Sequence, residues 1–402
     1  MRIANTKKSR WITAAMLAAT LTLGGCSTAA ESVSTGVSTS VTDAAAASSS
    51  TTKETIAATT AAAETFLATL SEEQKEKVGY SYDDESKTTS WSNFPVTFVD
   101  RAGLNLHDLN DDQKHAALAV LQALLSDEGY ATVNGIMAGD QYLLDESTSS
   151  EESLGQYYIA FFGDPSDSSA WELQFGGHHL GINGTLDGPA DTITFAPTHL
   201  GTQPAVWTAA DGTTMQPLAS MFTDGFAFYD SLTDEQKTKL YQAEQVADMV
   251  CAPGSTCTYP TGTGLPGSDL TAEQKRLLLT VIANWVGLSD EQTTQAALDK
   301  ISATLDTTYV NWSGATTYDP TQGDGIYYQI SGPDVYIELA SQKGSAQADV
   351  VGVTTAGWGH IHTIYRDPGN DYAGSVIQQA ASAMTGGPGG RGGPPAGNLP
   401  GN

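Results

Sequence analysis

From residue 116 the chain reads Ala-Ala-Leu-Ala-Val-Leu-Gln-Ala-Leu-Leu, an apolar run behind a polar Leu109-Asn110-Asp111-Asp112-Gln113, which predicts a buried helix ending near Gly129. The same opening recurs at Leu70-Ser71-Glu72-Glu73-Gln74, Leu232-Thr233-Asp234-Glu235-Gln236, Leu270-Thr271-Ala272-Glu273-Gln274 and Leu288-Ser289-Asp290-Glu291-Gln292. Each is read as a helix start: the Ser, Thr or Asn caps the first amides, the Gln reaches back, and the acids face the positive end of the dipole. Capping accounts for these carboxylates without a catalytic role. The fourth opening continues as a helix from Leu277 to Trp285.

Between the helical blocks the period changes to two. Tyr157 to Phe162, Trp171 to Phe175 and Thr192 to Phe195 are predicted strands, as are Tyr327 to Ile330, Asp334 to Leu339 and His360 to Tyr365. Short, turn-like connections predict antiparallel pairing. The order helices, strands, helices, strands therefore predicts an α+β fold, with two helix-then-strand halves of one globular domain. Both strand blocks open on Tyr-Tyr, at Tyr157-Tyr158 and Tyr327-Tyr328, and run on to Gly163-Asp164-Pro165 and Gly332-Pro333.

The two ends follow different rules. Arg2, Lys7, Lys8 and Arg10 precede an apolar run from Trp11 to Leu23 that is too short to span a bilayer, and the run ends in Leu23-Gly24-Gly25-Cys26. Residues 1–25 are read as a lipoprotein signal peptide, with Cys26 the acylated residue that would tether the exported protein to the outer face of a membrane. Residues 26–63, rich in Ser, Thr and Ala, are read as a flexible spacer, residues 64–384 as the globular domain, and residues 385–402 as a disordered Gly/Pro-rich tail.

Composition narrows the partners. With 46 acids against 18 bases the formal charge is -28, which argues against nucleic acid. At 40% hydrophobic and 16% charged residues the chain can bury a core. With Cys26 taken by the lipid, Cys251 and Cys257 remain as a close pair, read as a small disulfide loop in an exported protein.

Of seven histidines, four form two clusters, Gly176-Gly177-His178-His179 and His360-Ile361-His362. An H-x-H on a strand places both imidazoles on one face, as two ligands of one metal ion require. His178 and His179 would point to opposite faces of a regular strand unless Gly176-Gly177 bends the chain. A third ligand or orienting acceptor is sought among Glu172, Glu338, His199 and Asp367. Imidazole-rich sites suit zinc or copper. Two other readings stand beside this one: histidines bonded to backbone carbonyls in a core, and a metal-free acid/base pair. Arg366 shares strand parity with His360 and His362, so it either orients an anionic or polar substrate beside them or pairs with Asp367 or Asp371 to close a turn. Trp171, Trp207 and Trp358 are core residues or the lining of a cleft. No nucleophile elbow, phosphate loop, H-E-x-x-H or dinucleotide fingerprint occurs in the sequence.

Arg101-Ala102-Gly103-Leu104 with Leu109 and Gln113, Leu125-Ser126 with Gly129-Tyr130, Trp171 to His179 with Asn183, Pro197 to Pro204, and His360-Ile361-His362-Thr363-Ile364-Tyr365-Arg366-Asp367-Pro368 with Asp371-Tyr372 together resemble the bacterial and fungal domain-of-unknown-function 3500 family. The resemblance runs from about Glu64 to about Ala380. It implies one coherent domain and marks the same histidines, and it carries no reaction with it.

The sequence thus supports a lipid-anchored enzyme with His178, His179, His360 and His362 around zinc or copper and Arg366 beside them, acting on an extracytoplasmic small molecule or polymer. Zinc would supply hydrolytic chemistry and copper oxidative chemistry. The alternative is a lipid-anchored ligand- or metal-binding protein without catalysis.

Overall fold

The computed structural model describes residues 50–379 apart from 243–245, 247, 322–323 and 345–347. The expected signal peptide, Cys26 and the Gly/Pro-rich tail lie outside the described residues. The first described element corrects the expected spacer: residues 52–63 belong to helix α1 (Thr52–Ala68). The Thr51 side chain accepts from the Glu54 amide, and the Glu54 carboxylate accepts from the Thr51 amide at 2.8 Å, a reciprocal cap. Ile56, Ala63 and Phe66 recur on one face and enter the main core. Composition alone misleads here, because the alanines that resemble a linker are also the strongest helix formers.

The chain continues through α2 (Glu72–Val78), β1 (Gly79–Tyr80), β2 (Leu104–Asn105), α3 (Asp111–Leu124), α4 (Asp127–Glu146), β3 (Tyr157–Phe162), β4 (Ala170–Gly177), β5 (Leu180–Asp187), β6 (Thr192–Thr194) and β7 (Thr198–Thr202). After the small β8 (Trp207–Thr208) and β9 (Thr214–Met215) ribbon come α5 (Ala219–Ser231), α6 (Asp234–Leu240), β10 (Leu265–Pro266), α7 (Ala272–Val286) and α8 (Glu291–Ala303). The last strands are β11 (Tyr309–Gly314), β12 (Ile326–Ser331), β13 (Tyr336–Ser341) and β14 (Ile361–Arg366). The fold is α+β, with a mostly antiparallel sheet in the order β1-β3-β4-β5-β7-β14-β13-β12-β11-β10; β2 and β6 pair beside β3 and β5.

Four of the five repeated openings form reciprocal caps, at Ser71, Asn110, Thr233 and Thr271. The fifth is shifted by one residue: Asp290 caps α8, and Ser289 instead donates to the Leu124 carbonyl. The capping glutamines also meet across helices. Gln113 donates to Gln74 and to the Thr69 carbonyl, both at 3.0 Å, and Gln274 donates to Gln236 and the Ser231 carbonyl, both at 2.9 Å. Helix α3 ends at Leu124 rather than near Gly129. That glycine sits in the first turn of α4, where a Cβ would lie 2.5 Å from the Leu288 carbonyl oxygen.

Strands β5, β7 and β11 carry Gly or Asn within them, and this obscured their period. At the edge strands, Gly103 and Gly264 have φ of +88° and +104°, and a Cβ would come within 1.9 Å of the Ile159 oxygen and 2.1 Å of the Val310 oxygen. Gly103→Ala and Gly264→Ala are each expected to lose about 2–3 kcal/mol or more in urea unfolding, since the strained backbone and the clash add. A loss under about 0.5 kcal/mol would mean that the strand yields.

The two faces of the sheet differ in kind. One packs Ile159, Phe175, Ile182, Leu200, Ile337, Leu339 and Ile361 against α3, α5 and α7, and makes the main core. The other is covered by irregular chain, and beside a small apolar cluster around Tyr327, Tyr336 and Ile364 it buries many polar side chains: Glu172, Gln174, Asn183, His199, Gln329, Glu338 and His362. Covering loops bring backbone amides and carbonyls that need partners. The sheet supplies them: Gln174 donates to the Lys87 carbonyl, and Glu338 accepts from the Val250 and Cys251 amides at 2.8 Å each. The Cys251–Cys257 disulfide is formed and closes this covering segment.

Candidate metal centre

At the turn from β4 into β5 the bend lies at His179, whose φ of 61° is left-handed. Such a conformation costs a non-glycine residue about 1–2 kcal/mol and persists where the surroundings enforce it. Gly176 and Gly177 do not bend. They stay paired within β4, where Cβ atoms would each lie 2.3 Å from a neighbouring carbonyl oxygen. The consequence is that both imidazoles fold to one side, with ring centroids 3.7 Å apart. Arg101 secures the approach: its buried guanidinium donates to the carbonyls of Ser92, Phe94 and Gly177, and burial lowers its pKa to about 10.

The two clusters meet. β14 lies between β13 and β7, and its start brings His360, immediately before it, and His362, within it, to the same place. The Nε2 atoms of His179 and His360 are 3.1 Å apart, and the His362 ring lies 5.2 Å from His179 and 4.7 Å from His360. His179, His360 and His362 each offer a nitrogen within 4.8 Å of the others; a second group joins Asp140, His178 and His179. These buried groups can hold a metal ion. Two nitrogens about 2.0–2.1 Å from one tetrahedral zinc stand roughly 3.3 Å apart, close to the separation seen here.

The hydrogen bonds assign the tautomers. His360 Nδ1 lies 2.7 Å from the Gly344 carbonyl and His199 Nδ1 lies 2.6 Å from the Thr363 carbonyl. A carbonyl only accepts, so each Nδ1 carries the proton and each Nε2 keeps a lone pair. His362 Nδ1 faces Asp248 at 3.0 Å, and His178 Nδ1 faces Asp140 at 2.5 Å, so these rings too donate from Nδ1. The Asp140 carboxylate is itself held by the Gly155 amide. His179 Nδ1 and His199 Nε2 are buried without a hydrogen-bond partner. A cation among these rings answers the surplus of inward lone pairs, and the polar donor set fits zinc or copper.

Burial first, then the neighbouring histidines, holds His179 and His199 well below the ordinary 6.5 and brings His360 down to about 3. Between pH 6.5 and about 3 the unfolded chain therefore binds the more protons, and stability rises with pH across that window. Acidifying the metal-free protein from pH 7 to pH 4 is expected to lower its unfolding free energy by several kcal/mol, by more than in His360→Phe. Equal pH slopes in urea titrations of the two would refute this.

The other sequence candidates lie elsewhere. Arg366 is not beside the histidines: its guanidinium donates to Asp371 at 2.8 Å, the Ser255 carbonyl at 3.1 Å and Gln378 at 3.0 Å, so it closes a turn. Four residues along the strand from His362, parity gives it the same face without the same place. Glu172 pairs with Lys87, Glu338 receives the covering loop, and Asp367 pairs with Lys300. Their expected orienting role falls to Asp140 and Asp248. Asp140 had one legible signal, an acid on the buried stripe Ile136, Gly139, Asp140, Leu143 of α4. Asp248 had none. Trp171 packs in the main core, Trp358 sits among Phe222, Phe226 and Tyr318, and Trp207 packs on Tyr142, so none lines the centre.

No curated protein and no solved structure shows a significant match to this sequence. A family model described as "Protein of unknown function (DUF3500)" matches residues 52–374, beginning at α1 and ending just past the Arg366 turn, and the chain therefore belongs to that family.

Proposed function

We propose that this protein is an exported, lipid-anchored metalloenzyme that uses His179, His360 and His362 to hold zinc or copper and acts on an extracytoplasmic small molecule or polymer. The carrying observation is the convergence of three imidazoles at 3.1 Å between the closest nitrogens, with His360 and His362 each tied at Nδ1 to an acceptor. Such outer partners orient metal-binding histidines. Three imidazoles leave a position for substrate, as catalytic sites do, whereas closed structural sites use four protein ligands. A bound zinc or copper would supply Lewis acidity, and copper electron transfer as well.

The adjacent His178 supports an enzyme. Its Nδ1–H donates to the Asp140 carboxylate, which turns Nε2 to act as a proton acceptor one ring away from His179. His178 is also the most exposed of the five clustered rings, at 7%, and so faces the side from which a substrate would come. The near-complete burial of the other four favours the alternative, a metal-binding protein without turnover. Export and the lipid rest on the Arg2-to-Cys26 sequence and on a disulfide suited to an oxidising compartment.

Cobalt substitution followed by azide titration separates the two. A shifted visible spectrum is expected, because an open position accepts the anion; an unchanged spectrum in a cobalt-loaded protein would sink the catalytic reading. Cys26→Ser should abolish the acyl mass on the N-terminal peptide of membrane-isolated protein.

A further inference from the structure

A cavity of about 350 Å³ lies at the opposite ends of β5 and β14 from the histidines, between the β5–β6 turn, α8 and the segment after β14. That volume falls at the small end of ligand sites and is far more than a single ion fills. Its lining is acidic: Asp187, Asp191, Asp334 and Asp367 face one cation, Lys300. Lys300 is already committed, 2.5 Å from Asp367 and 3.5 Å from Asp334. Asp187 uses one carboxylate oxygen to receive the Ala190 amide, and among the described residues its other oxygen and the Asp191 carboxylate take no side-chain partner.

A second observation points to a ligand. Tyr365, 5% exposed, lines this cavity, and its hydroxyl makes no hydrogen bond among the described residues. The hydroxyl is not sealed in packed core and opens on the cavity side that the residue lines. A phenol this enclosed normally finds a partner.

We propose that this cavity binds a small organic polycation, with ammonium groups at Asp187 and Asp191 and one N–H reaching the Tyr365 hydroxyl. Charge selects the class: after Lys300 is counted the half-buried Asp187 and the exposed Asp191 leave the lining with an excess of carboxylates, which attracts a cation and gives a neutral sugar no advantage. Separation of the acids selects a cation with more than one centre, since no metal-binding group of side chains occurs here among the described residues. The strongly anionic chain would raise the local concentration of such a ligand.

The test is calorimetric titration of the full-length protein with spermidine, at two salt concentrations, beside cellobiose as a neutral probe. Saturable one-to-one binding of spermidine is expected, weakened about tenfold or more by Asp187→Asn and several-fold by Tyr365→Phe, with Asp299→Asn on the outer side of α8 as the charge-matched control. Both test substitutions keep side-chain shape, and a thermal melt of each checks folding, so either carries the test alone. The proposal is overturned by unsaturable binding, by equal weakening in the control, or by cellobiose binding as tightly as spermidine.

Discussion

Replacing Lys87 with Met is expected to cost about 3–5 kcal/mol, the largest stability loss of any single substitution considered for this protein. Lys87 enters from a 3-10 turn in the covering layer, and its ammonium lies 3.3 Å from Glu172 on β4, both side chains fully buried. The ammonium also sits over the Tyr82 ring at 4.5 Å, and Glu172 accepts from Thr185 at 3.1 Å. Burial pushes the Glu172 carboxyl up and the Lys87 ammonium down, and the opposite charge of each partner works against that push. Removing the lysine leaves a buried carboxylate with one hydroxyl donor and an oxygen that has none. Urea unfolding at pH 7 measures the loss. Lys87→Met with Glu172→Leu should recover most of it, because the uncompensated charge, not the missing contact, is the main penalty. Lys87→Met alone should also be less damaging at pH 5, where a carboxyl with a raised pKa protonates more readily. A single mutant as stable as wild type would show that the two layers do not depend on this pair.

The second large effect concerns metal affinity. His179→Ala, His360→Ala and His362→Ala are each expected to weaken zinc or copper binding by more than about 100-fold, since loss of an outer partner alone costs about 10–100-fold. Asp248→Asn should fall within that smaller range, because it weakens the acceptor that orients His362 without removing a ligand. His107→Ala, on a ring 75% exposed and outside both groups of converging ligands, should change nothing. Competition against a chromogenic chelator ranks all five. If Asp248→Asn proved as damaging as His362→Ala, Asp248 would have to be counted among the ligands.

The helix starts were legible because capping is local: four residues suffice to write Ser71, Asn110, Thr233 or Thr271 as a cap with its glutamine. The two histidine clusters were legible as chemistry for the same reason. Their meeting was not, because it depends on β14 inserting between β7 and β13, and β7 lies far from β14 in sequence. The polar face misled in another way. Period-two strands suggest that alternate polar residues meet solvent, whereas Gln174 and Glu338 are buried beneath loops whose backbone groups they bind, and Glu172 is buried against the Lys87 ammonium. Parity correctly put Arg366 on the histidine face, yet distance along the strand gave it to Asp371 instead. The residues 52–63 failed as a spacer because sparse apolar positions, Ile56 and Ala63, suffice once α3 is there to receive them.

The central claim is that the converging histidines hold a metal, and elemental mass spectrometry of the purified full-length protein tests it most directly. Near-stoichiometric zinc or copper in the wild type, lost in a folded His360→Ala/His362→Ala double variant, is the expected result. A wild type that stays empty after soaking in both metals, or a double variant that retains the full complement, would contradict it.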